Sequence, residues 1–197
     1  MSDFWIYFTI GLKHLWNIYA YIDILFLLAL TVPYEFKSWK KILILVSLFT
    51  VGHTLALILS VFNVITIKAN IVAFIIPIVI FIIALYNIIT AGKSGKKESI
   101  TFIAIVTSLF GIIHGLGFSN YFSSILPGKP TDKLLPLFES ALGLSISQIA
   151  VVILALLLAY IVQTLLKFSK RDWILIVSAL IVGVVLPLII QSEIWVK

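Results

Sequence analysis

Six long apolar runs, separated by short gaps that carry most of the charge, constrain this chain more than any other feature. They extend from Ile18 to Tyr34, Ile42 to Phe62, Ile71 to Ala91, Ile100 to Leu126, Leu134 to Phe168 and Trp173 to Ile190. A helix needs about 20 consecutive apolar residues to cross the hydrocarbon of a bilayer. Five runs reach that length, and the first does so only by recruiting part of the amphipathic stretch Phe4 to Trp16. Hydrophobic residues make up 62% of the chain and charged residues 11%, against about 25% charged in soluble domains, so there is too little polar surface to coat a water-facing body. The expected fold is all-α. It is a polytopic integral membrane bundle of about six transmembrane helices with an amphipathic N-terminal stretch, forming a single domain over residues 1–197.

Charge in the gaps predicts the orientation. Lys37, Lys40 and Lys41, then Lys93, Lys96 and Lys97, then Lys167, Lys170 and Arg171 occupy alternate gaps, whereas the other two hold Lys68, and Lys129 with Lys133. Nine basic residues against three place the first set in the cytoplasm by the positive-inside rule, with both termini outside it. The N-terminal residues carry no basic leader or small-residue cleavage site, so an inner (cytoplasmic) membrane protein without a cleaved signal is expected. The net charge of +6 reads as topology signal and lipid-headgroup contact, and nucleic acid is not an expected partner. With no cysteine in the chain, disulfides, thiolate metal sites and thiol nucleophiles are excluded.

Ionisable groups within the apolar runs are costly, from about 2.5 kcal/mol upward, and are functional candidates for that reason. They are Asp23, His53, His114 and Glu139, with Lys13 and His14 at the outer edge of the first span; Asn87, Ser145 and Gln148 add uncharged polarity. At about 1.5 Å of rise per residue, Asp23 and His53 lie about 18 Å above the basic gaps, and His114 higher. His14 falls near the outer headgroups on the same count. Imidazole with carboxylate is a ligand set for nickel, cobalt or zinc, which makes His14, Asp23, His53, His114 and Glu139 the candidate metal ligands. The alternative is that each histidine only bonds a neighbouring helix carbonyl. Gly111 and Gly115 flank His114 in a G-x-x-x-G that suits close helix approach. In the long fifth run, Pro136 and Gly143 suggest a break into an outer turn and a full helix. No nucleophile elbow accompanies Ser145 or Ser147 to support a hydrolase built on serine.

Several stretches together resemble the HupE/UreJ family of hydrogenase and urease accessory membrane proteins. They are FTIGLKH with the following DILFLLAL, FTVGHTLAL, IALYNI, FGIIHGLGFSNYF and LGLSISQIAVV. The resemblance spans nearly the whole chain and implies about six spans and nickel or cobalt permease activity. The chain departs from the family pattern at identifiable places. Ile24 follows Asp23 where the family has histidine, Phe110 and Gly117 stand where the His–Gly motif carries a second histidine and an acid, and Ser145 replaces an acid ahead of Gln148.

A divalent-cation permease or binding protein, rather than an enzyme, is therefore the expected function. The alternatives are a degenerate family member serving as a structural subunit beside partner membrane proteins, and a membrane-embedded metal-dependent hydrolase with Glu139 or Asp23 as base.

Overall fold

The computed structural model describes residues 3–17, 20–92, 100–125 and 129–195. Among them the chain is helical: α1 (Asp3–His14), α2 (Tyr21–Thr31), α3 (Trp39–Val61), α4 (Ala69–Thr90), α5 (Ile100–Ile125), α6 (Leu134–Thr164) and α7 (Lys170–Ile190). Short 3-10 turns at Phe36–Ser38 and Pro130–Lys133 lead into α3 and α6. The five helices from α3 onward are long and apolar enough to cross a membrane. They are apolar around their whole circumference, as helices in lipid are, so Ile44, Val51, Leu142, Leu158 and Leu180 face outward. Lys93, Lys96 and Lys97 lie outside the described residues.

The first span is made in two pieces. At about 1.5 Å per residue, the 12 residues of α1 and the 11 of α2 reach about 18 and 17 Å, neither enough for a hydrocarbon core of about 30 Å. Between them the chain turns, with the backbone N–H of Asn17 donating to His14 O and that of Ala20 to Asn17 O. The break expected at Pro136 and Gly143 is absent: α6 runs unbroken for 31 residues. Pro136 stands in the first turn of α6, where its missing N–H had no intrahelical partner to lose. Gly143 has a packing role instead. A Cβ there would lie 2.0 Å from Phe8 O, and one on Gly11 would lie 1.9 Å from Ser140 O. The Ser147 hydroxyl donates to Leu12 O. The pairings Phe8 with Gly143 and Leu12 with Ser147 ascend together, so α1 runs parallel to α6 in backbone contact with it.

A second close pair joins α3 to α5. A Cβ on Gly111 would meet Phe49 O at 2.3 Å, and one on Gly115 would meet His53 O at 2.2 Å; Gly52 answers from α3, 2.8 Å from Ser108 O. The G-x-x-x-G of the sequence is thus the seam that holds His53 and His114 at one level. Asn87 on α4 donates its side-chain amide to Ala29 O on α2 at 2.7 Å, the interhelical bonding expected of polar groups in lipid. Trp5, Trp16, Trp39 and Trp195 are exposed, as an interfacial belt requires, whereas Tyr34 and Trp173 are buried.

Candidate functional site

The break between α1 and α2 brings polar side chains inside the bundle. His14 closes α1, Asp23 sits in the first turn of α2, and His114 comes from α5. The ends of α1 and α2 suit their charges. Carbonyls at a helix C-terminus favour a cation near His14, and N–H groups at an N-terminus favour the Asp23 carboxylate. Nε2 of His114 lies 2.8 Å from Asp23 Oδ1, and Nε2 of His14 lies 3.2 Å from Oδ2. One ligand atom from each of these three residues falls within 4.8 Å of the other two. His14, expected near the headgroups, is instead level with Asp23. Its Nε2 is buried against that carboxylate oxygen.

His53 extends the cluster on the other side of His114. The two Nδ1 atoms are 3.0 Å apart, and His53 is 2% exposed. Three phenylalanines lie one helical turn away. Phe49 and Phe110 precede His53 and His114 by four residues, and Phe26 follows Asp23 by three, so helical spacing puts them on the same faces. Phe26 and Phe110 stack with ring centroids 3.7 Å apart, and Phe49 approaches them at 5.5 and 5.7 Å. All three are buried and continue into the apolar core of the other half of the bundle. Phe110, standing where the family pattern has a second histidine, thus belongs to this aromatic layer.

On the opposite side of the triad a cavity of about 610 Å³ is open. His14, Asp23 and His114 line it together with Lys13, Asn17 and Phe118, and its remaining walls are mostly apolar residues of α1, α2 and α4. Ala69 and Gly117 place it at the end of the bundle opposite Lys37, Lys40, Lys41, Lys167, Lys170 and Arg171. A Cβ on Gly117 would meet Val72 Cγ1 at 2.7 Å, so the family's acid at this place would need Val72 to shift.

The other candidates lie elsewhere. Glu139 is buried on α6 but is outside the group of three. Gln148 and Ser145 gather around Thr50: its hydroxyl lies 3.0 Å from Gln148 Oε1 and 3.5 Å from Ser145 Oγ. This α3–α6 linkage is separate from the triad's bonds, as is the Asn87–Ala29 bond. The phenylalanine layer and Thr50 were not singled out from the sequence, although the repeated Phe-x-x-x-His spacing was there to be seen.

The family model described as HupE / UreJ protein matches residues 1–192. This chain belongs to the HupE/UreJ family. No curated protein and no solved structure matches it. For a HupE/UreJ protein, the donor set is chemically apt. Two imidazoles and one carboxylate suit zinc, nickel or cobalt, and three protein donors leave positions open for water or exchange.

Proposed function

We propose that this HupE/UreJ protein is a divalent-cation permease of the inner membrane, with nickel or cobalt as its cargo and both termini outside the cytoplasm. The cation enters from the cavity and is taken by His14, Asp23 and His114. The observation that carries this reading is three ligand atoms from three helices within 4.8 Å of one another on the wall of an open cavity. A cation leaving water for the bilayer interior needs its lost hydration replaced, and this donor set replaces part of it while one negative charge offsets part of the cation's. Incomplete coordination favours release, whereas structural ions are held in closed four-ligand shells. A broken helix lining the site is the device transporters use to expose polar groups at membrane depth.

The layer of Phe26, Phe49 and Phe110 supports a direction for the cycle. It closes the pathway beneath the triad, so this conformation is the one open to the cavity side, and delivery requires those rings to part. The cavity end carries the fewer basic residues, which suits uptake from outside.

The test is uptake by proteoliposomes loaded with a metal-sensitive dye. Nickel or cobalt should quench the dye in vesicles carrying the wild-type chain, and the His14→Ala/His114→Ala double variant should fall to the protein-free rate. A wild-type rate equal to that of empty vesicles would defeat the proposal.

A further inference from the structure

His53 shares the burial and residue type of the triad, yet its ring faces His114 rather than the carboxylate. We infer that His53 is a positioning residue that sets the ring tautomer in which His114 can take a divalent cation. This rests on the proposal that His14, Asp23 and His114 hold the cation.

Two Nδ1 atoms 3.0 Å apart are at hydrogen-bond distance, and the gap holds one proton, so one nitrogen donates and the other accepts. Neutral imidazole has one N–H and one bare nitrogen. With no cation present, Nε2–H of His114 donates to Asp23 Oδ1 at 2.8 Å. Nδ1 of His114 is then bare and accepts from Nδ1–H of His53. For His114 to coordinate through Nε2, that nitrogen must be bare and Nδ1 must carry the proton. Nδ1–H then donates to Nδ1 of His53, which is bare, and the proton of His53 resides on its Nε2.

The protons balance across the change. His114 loses the Nε2 proton, His53 passes its Nδ1 proton across the shared gap, and His53 Nε2 gains one. Each ring is neutral and carries one proton before and after. The Nε2 proton of His114 leaves toward the open cavity that His114 lines, and His53 Nε2 takes its proton from the side of the small cavity that His53 shares with His14. The seam between α3 and α5 fixes the distance, since Gly115 brings the α5 backbone against His53 O. Metal-bound histidines ordinarily hand their second N–H to a carboxylate or carbonyl, and losing such a partner weakens binding about 10- to 100-fold. Here an imidazole fills that role.

The test uses the full chain purified in detergent, with zinc alone as the probe. Binding is measured for wild type, His53→Leu and His53→Gln. His53→Leu leaves the His114 Nδ1–H without an acceptor and should weaken binding about 10- to 100-fold. His53→Gln keeps an acceptor oxygen and should restore most of the affinity. A measurement on the wild type avoids variants that fail to fold: ¹⁵N NMR of the histidine rings should show the His53 proton on Nδ1 without zinc and on Nε2 with it. Leucine binding as tightly as wild type, or an unchanged His53 tautomer on loading, would overturn the inference. So would a His53 nitrogen shifted as a metal ligand, which would make it a fourth donor. Wild type that binds no zinc would instead bring down the triad reading, and this inference with it.

Discussion

Replacing Gly115 with alanine is expected to separate α3 from α5 and remove metal binding together with much of the protein's stability. The added Cβ would lie 2.2 Å from His53 O, 2.9 Å from its carbonyl carbon and 3.0 Å from its Cα. All three are backbone atoms, so no rotamer change relieves the clash. Carbon contacts need about 3.5 Å, and α5 must retreat by about 1 Å. That shift lengthens the 3.0 Å His53–His114 contact beyond hydrogen-bond range and displaces Nε2 of His114 from Asp23. Overpacking of this kind typically costs about 1–3 kcal/mol. Gly183→Ala is the control, because a Cβ there meets nothing within 4 Å and alanine is the better helix former. Thermal unfolding in detergent and zinc binding should both fall for Gly115→Ala and hold for Gly183→Ala. Equal behaviour of the two variants would contradict a backbone seam closed at Gly115.

Asp23→Asn should collapse cation affinity while leaving the bundle folded. The carboxylate is the one anionic member of the triad, and both imidazoles approach it, at 2.8 and 3.2 Å. Asparagine keeps the shape and an oxygen that accepts from His114, so the apo protein retains its packing. It removes the charge that attracts a divalent ion into a low-dielectric interior, where such interactions are strongest. Loss of a direct ligand should exceed the effect of losing its supporting partners, and a fall of more than about 100-fold in nickel or cobalt affinity is expected. Equilibrium dialysis with elemental analysis measures it, and unfolding temperature checks the fold. Affinity within a few-fold of wild type would show that Asp23 does not hold the cation.

The long helices were legible because bilayer thickness imposes a length that apolar runs either reach or miss, and those of α3 to α7 reach it. The division of the first span was not, because hydropathy averages over Lys13, His14 and Asn17, and the turn depends on α1 docking against α6. That docking depends on Gly11 and Gly143 at backbone contact, which composition does not reveal. Pro136 misled because a proline in the first turn of a helix gives up no intrahelical hydrogen bond. Residue type singled out His14, Asp23, His53 and His114, which the fold brings together, but could not say which nitrogen faces which partner. Glu139 shows the limit of the same argument: it is an acid within an apolar run, buried as expected, yet outside the group of three. Phe110 shows the reverse, since a departure from the family's histidine pattern proves to be a ring stacked on Phe26.

X-ray absorption at the zinc edge of the loaded protein distinguishes one cation shared by His14, Asp23 and His114 from any other arrangement. The prediction is two imidazole nitrogens at about 2.0–2.1 Å and carboxylate oxygen at about 2.0–2.2 Å. One imidazole should disappear in each of His14→Ala and His114→Ala, and none in His53→Gln. A shell of water oxygens alone, or a histidine signal that survives both alanine variants, would contradict it.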